Sequence, residues 1–220
     1  MRYVLRLKGG VGSGHHGHKG IPGHQGGSLP RGSNASAYTD ARKRVLDSKL
    51  LDEASESWFE FYDASVIKDI SKGIDVYDAN YTDGMGEHYT KAELDKFTKY
   101  AQVLQDAAVS SNSGYTILYR GTMLPIEDLS QYGIGNKITF DSLLASSPKF
   151  EIANIYAQDP YELGKVVMFK LQNSNGIIGY ERDAGNEVIL PRGSTYTVKS
   201  SKEINGILTI MLSSDEELQL

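Results

Sequence analysis

The chain has 220 residues, 40% of them hydrophobic and 23% charged, which suits a soluble globular class with one full core and some length left for an appendage. No apolar run approaches the roughly 18 residues that span a bilayer, the first residues lack the apolar core of a signal peptide, and the absence of cysteine excludes a disulfide scaffold or a thiolate zinc site. The net charge of −5 is uneven: residues 1–50 hold nine Lys/Arg against two Asp/Glu, and residues 51–220 hold fourteen against twenty-six, so the main body lacks the basic face that nucleic-acid binding needs.

Residues 2–8 read as a short strand. Gly9 to Ser36 then holds ten of the 23 glycines, which makes ordering entropically costly with little apolar surface to offset it. Residues 1–37 are therefore expected to be a flexible arm. His15, His16, His18 and His24 lie in it, but a metal site needs a rigid shell, so the segment reads as a polar linker and no metal is expected.

The domain proper is expected over 38–220, helical over 38–113 and β-rich over 114–220. From Tyr38 to about Ser71, Leu46, Leu50 and Ala54 recur at helical spacing, with Trp58, Tyr62 and Val66 on a neighbouring stripe. Glycines and aspartates break the pattern after Ser71. A calcium loop starting at Asp78 fails, since its sixth position is Asp83 and its twelfth Tyr89. Thr90 and Glu93 then form a capping box before a helix that carries Leu94, Phe97, Ala101, Leu104 and Ala108 on one face.

After Gly114 the period becomes strand-like, at 115–120, 137–140, 165–171, 187–190, 194–198 and 207–212. One helix interrupts this series. Ser147 is its expected N-cap, with Pro148 in the first turn. Helices followed by strands imply an α+β domain.

Three polar features stand at strand ends: Arg120 closing "TILYR", Ser146 and Ser147 closing "KITFDSLLASS", and Glu187 opening "EVIL". Each has an ordinary explanation alone, as a snorkelling arginine, a helix cap and a solvated carboxylate. Together they make a chemical set. A guanidinium binds phosphate bidentately, a hydroxyl orients a sugar, and a carboxylate stabilises a developing oxocarbenium cation. That combination suits cleavage of an N-glycosidic bond in a dinucleotide.

The ordered segments "TILYRGT", "FDSLLASSPKFEIANIYA" and "GNEVILPRGSTYTV" resemble the Arg–Ser–Glu class of mono-ADP-ribosyltransferases, which includes clostridial binary-toxin enzymes and vertebrate ecto-transferases. The resemblance covers about residues 38–215 and rests on those three motifs. It implies an ADP-ribosyltransferase-like split, twisted β-sandwich with flanking helices, and NAD as the substrate that donates ADP-ribose to a host protein. It further implies Arg120, Gly121, Ser146 and Phe150 as NAD-binding residues. Glu187, with Ser146 and Ser147, would be catalytic. Tyr180, Glu181 and Gly185 would lie in the target-recognition turn.

Two positions depart from the family pattern. Ala145 stands where the family has the serine that contacts the catalytic glutamate. Gly185 stands where it has an acid or amide that handles the acceptor, and Glu181, Asp183 and Asn186 are the nearby substitutes. Two alternatives stay open: an NAD glycohydrolase, and a non-catalytic virion or interaction protein on the same frame. The arm is similar in composition to segments of phage head-morphogenesis proteins. That similarity implies a phage or prophage origin, docking to head or portal proteins, and a place in the bacterial cytoplasm or the virion.

Overall fold

The computed structural model describes residues 48–83, 86–157, 164–172, 174–179 and 187–214. The arm, the expected strand at 2–8, and the target-recognition residues Tyr180, Glu181 and Gly185 lie outside them, as does the expected docking of the arm.

The helical half begins with α1 (Ser48–Phe59) and α2 (Phe61–Ser71). In α1, Leu51, Ala54, Ser55 and Trp58 are buried at i, i+3, i+4 and i+7, the stripe of an amphipathic helix. A single continuous periodicity through Ser71 does not hold. Glu60 is extended (φ −78°, ψ 125°), which resets the helical phase, so α2 buries Ala64, Val66 and Ile67 and leaves Tyr62 48% exposed. No glycine or proline marks this break. The following loop closes on a buried carboxylate, Asp83, which accepts from Glu87 N (2.9 Å) and Tyr89 Oη (3.0 Å). Helix α3 (Lys91–Val109) has the expected capping box between Thr90 and Glu93, and buries Leu94, Phe97, Ala101, Leu104 and Ala108.

The β-rich half contains β1 (Ile117–Leu124), a 3₁₀ turn (Ile126–Tyr132), β2 (Lys137–Thr139) and β3 (Leu144–Ser146). Then come α4 (Phe150–Ala157), β4 (Lys165–Gln172), β5 (Ile177–Ile178), β6 (Val188–Leu190), β7 (Thr195–Ile204) and β8 (Ile207–Ser214). Five strands form one sheet in the order β1-β4-β8-β7-β2, and three form another in the order β3-β6-β5. Among the described strands only the β4–β8 pairing is parallel. Strand β7 runs past the expected Val198 to Ile204, because Asn205 (φ 52°) and Gly206 (φ 81°) make a two-residue hairpin turn into β8.

Three layers result. Helices α1–α3 pack on one face of the small sheet through Ala145, Ile177 and Ile189. The opposite face of that sheet, through Leu144, Ile178, Val188 and Leu190, packs on Leu118, Phe169, Val198, Ile210 and Leu212 of the large sheet. The small sheet is thus a middle layer covered on both sides, which is why "VIL" at 188–190 is continuously apolar rather than alternating. The structure is the expected α+β arrangement of two sheets with flanking helices.

Candidate active site

Backbone register brings the three polar features together, although Arg120 does not close its strand as expected, because β1 stays paired with β4 as far as Leu124. Tyr119 in β1 and Ser147 just after β3 exchange both hydrogen bonds, Tyr119 N to Ser147 O at 2.7 Å and Ser147 N to Tyr119 O at 2.8 Å. In turn β3 pairs with β6, with Ser146 opposite Val188. The two sheets are joined at this seam, so Arg120, Ser146–Ser147 and Glu187 lie on three successive chain crossings of one neighbourhood.

Side-chain bonds tighten the arrangement. The buried Arg120 donates from Nη1 to the carbonyl of Ala145 at 2.8 Å, and a guanidinium carries four further N–H groups in a fixed fork. Ser146 Oγ donates to Val188 O at 2.8 Å, locking β3 to the residue that follows Glu187. Ser147 is not a helix N-cap as expected. Its backbone is taken by the bridge to Tyr119, its Oγ accepts from Lys149 N at 3.1 Å, and α4 starts three residues on at Phe150.

Gly121 is buried beneath α4, where an added Cβ would stand 1.9 Å from Ala153 O and 2.7 Å from Ala157 Cβ. Glycine here lets the helix approach the strand. Phe150, 38% exposed, sets its ring edge-to-face against Tyr119 at 5.8 Å, at the same seam. Glu187 O accepts from Gly179 N at 2.8 Å, which fastens the two chain ends flanking residues 180–186.

Two residues of the helical half enter the site without having been expected there. The Trp58 indole Nε1 donates to Glu187 Oε1 at 2.6 Å, and the Lys68 ammonium stands 5.0 Å from the centre of the Trp58 ring, a cation–π distance. A buried tryptophan usually finds an acceptor for its N–H, so Trp58 on an amphipathic stripe did carry a signal that some polar partner waits in the core. Lys68, next to buried Ile67, carried none.

These groups form one electrostatic unit. Burial lifts the Glu187 carboxyl above the ordinary carboxylate range, and the Trp58 hydrogen bond and the charges of Lys68 and Arg120 oppose that rise. Burial pulls the Lys68 ammonium down to about 7, the Arg120 charge pushes the same way, and Glu187 resists. Arg120 is drawn down by burial to about 10, again against the pull of Glu187, and so stays cationic at neutral pH. On α4, the Tyr156 phenol is raised by burial and then by Glu187. Arg120 stays cationic beside the one carboxylate, and Lys68 adds positive charge as pH falls through about 7, which gives the site a positive field suited to an anionic ligand. Among the described residues no group of three or more His, Cys, Asp or Glu side chains is placed to hold a metal, and no helix is long and apolar enough to cross a membrane.

No family model and no curated protein matches the sequence. Solved structures do match the fold. The ADP-ribosyltransferase Vis, a toxin from Vibrio splendidus solved with the M6 inhibitor, aligns with a TM-score of 0.61 at 16% identity, over 84% of this chain and 81% of its own. A further structure of Vis holds agmatine (TM-score 0.59, 16% identity, 85% of this chain and 81% of that one). C3stau2 of S. aureus, solved with NAD, aligns with a TM-score of 0.51 at 13% identity, over 84% and 95%. The chain therefore has the ADP-ribosyltransferase-like fold, at an identity that leaves its activity to be argued from the site.

Proposed function

We propose that the chain cleaves the bond between nicotinamide and ribose in NAD and transfers ADP-ribose to a host macromolecule, a protein. The observation that carries this reading is the meeting of Arg120, the Ser146–Ser147 pair and Glu187 at one seam between two sheets, held by the Arg120–Ala145 and Ser146–Val188 bonds (both 2.8 Å). The shared fold with NAD-bound C3stau2 supports NAD as the substrate.

Each residue has a task its chemistry suits. Arg120, close enough to help lower the Lys68 ammonium, supplies the positive field for the pyrophosphate. Glu187, ionised, accepts from a ribose hydroxyl and places negative charge beside the sugar carbon that turns cationic as nicotinamide departs. Burial makes this charge worth more than it is in water. Phe150 and Tyr119 offer an aromatic wall at the mouth of the same seam.

Hydrolysis is a second reading, favoured by Gly185, which offers no side chain to activate an acceptor. Labelled NAD incubated with and without host lysate separates the two. Label on a macromolecule supports transfer, and nicotinamide release without labelling supports hydrolysis. Absence of both, in a folded protein, overturns the enzymatic reading.

A further inference from the structure

Strand alternation decides which way Glu187 points. Ile189 of β6 belongs to the core shared with helices α1–α3, as does Ala145 opposite it, whereas Val188 and Leu144 face the large sheet. With a side-chain period of two, Glu187 lies on the same helix-facing side as Ile189 and Ala145. In β3, Ala145 has no donor and Ser146 gives its hydroxyl proton to Val188 O. The donor comes instead from the helical layer, as the Trp58 Nε1–H at 2.6 Å.

We propose that Trp58 is the positioning residue for Glu187, its indole N–H fixing the carboxylate rotamer in the role a hydroxyl at position 145 could otherwise fill, with the Lys68 ammonium over the ring face holding the indole in place. The inference rests on the reading of Glu187 as the catalytic carboxylate. Trp58 itself need not touch substrate. It is 2% exposed, so its ring is fixed by packing, and its rigid donor restricts the carboxylate without titrating at any working pH. Losing a hydrogen bond to a charged group is expected to change the rate roughly 10- to 100-fold.

Two measurements test it, one of them independent of catalysis. Trp58 is the only tryptophan in the chain, so fluorescence excited at the red edge of its absorption, clear of the 14 tyrosines, reports the surroundings of its indole. The groups facing Glu187 are Trp58 from α1, Lys68 from α2, Arg120 from β1 and Tyr156 from α4. Of these only Lys68 also titrates near neutrality, and a Lys68→Met variant separates its contribution. Emission is expected to follow ionisation of Glu187, with a midpoint above 4.5, and the transition should vanish in Glu187→Gln.

In kinetics, Trp58→Phe keeps the ring and loses only the donor. It should lower kcat for NAD cleavage 10- to 100-fold at little changed KM and move the acid limb of the pH profile upward. Adding Ala145→Ser to Trp58→Phe should recover part of kcat, since that hydroxyl projects to the same face. An acid transition indifferent to Glu187→Gln, or Trp58→Phe with parental kcat and pH profile, overturns the proposal while leaving the catalytic reading of Glu187 intact. A Glu187-dependent transition in a protein that never cleaves NAD overturns the catalytic reading instead and leaves Trp58 as a structural tether.

Discussion

The two halves of the molecule build the site by different means. In the β-rich half, position follows from backbone register: the Tyr119–Ser147 bridge and the β3–β6 ladder set Arg120, Ser146 and Glu187 side by side whatever their side chains. In the helical half, Trp58 and Lys68 reach the same place only because α1 and α2 happen to be packed in a given rotation against the small sheet. Ladder-placed residues tolerate little displacement, because a one-residue slip reverses every side chain. Helix-placed residues tune what the ladder presents. The lesson is that the strands place Arg120, Ser146 and Glu187, while the helices supply the indole that bonds Glu187 and a cation that acts on its charge.

The sharpest way to break the ladder's share is at its one carboxylate. Glu187→Gln should lower NAD cleavage by about 10²–10³-fold, the usual loss on removing one preorganised electrostatic contact, measured as nicotinamide release. The same variant should melt higher than the parent at pH 7. Because burial raises the Glu187 carboxyl in the native state, the folded protein binds more protons than the unfolded chain above about pH 4.5. Stability therefore falls as pH rises through that window and stays reduced above it. Glutamine has no charge to bury, so the melting difference should close on acidification toward pH 4.

Arg120→Lys comes next. A lysine keeps the charge but loses the planar fork and the bond to Ala145 O. KM for NAD should rise about 10- to 100-fold, with kcat less affected; a parental KM would mean that Arg120 serves only to join β1 to β3. Gly121→Ala probes the neighbouring position of the same strand for packing alone. Its new methyl would meet Ala153 O at 1.9 Å, backbone that cannot swing aside. A loss of about 1–3 kcal/mol is expected from overpacking, read by urea denaturation.

The contrast between the halves also explains what the sequence revealed. Arg120, Ser146–Ser147 and Glu187 were legible because a polar residue beside an apolar, β-branched run stands out at short range, although β1 runs past Arg120 to Leu124. The capping box at Thr90 was legible for the same local reason. Trp58 and Lys68 were not, since their membership of the site depends on how two helices pack against strands 129 residues away in the case of the Trp58–Glu187 bond. The break at Glu60 was hidden too, because an extended residue without glycine or proline leaves no local mark. Strand β5, two residues long, was too short to show a period. Ser147 misled for an instructive reason: Ser-Pro is a good cap in isolation, but here the bridge to Tyr119 takes that serine's backbone first.

The smallest effect tests whether the helical half can be weakened without touching the chemistry. Thr90 Oγ1 accepts from Glu93 N at 3.3 Å, while Glu93 Oε2 accepts from Thr90 N at 2.7 Å, so Thr90→Ala removes one arm of the box at the start of α3. The expected cost is about 1 kcal/mol of stability, seen as a lower denaturation midpoint with unchanged slope. Helix α3 packs against α1 and α2 through Phe97, Tyr100 and Leu104, but the capping residues are exposed and the box bonds run between Thr90 and Glu93 themselves. The rate of NAD cleavage at 25 °C should therefore stay within twofold of the parent, a margin of about 0.4 kcal/mol. A larger fall in rate would mean that α1 and α2 shift when α3 frays, carrying Trp58 with them, and that the orientation of Glu187 is set by the whole helical layer rather than by one indole.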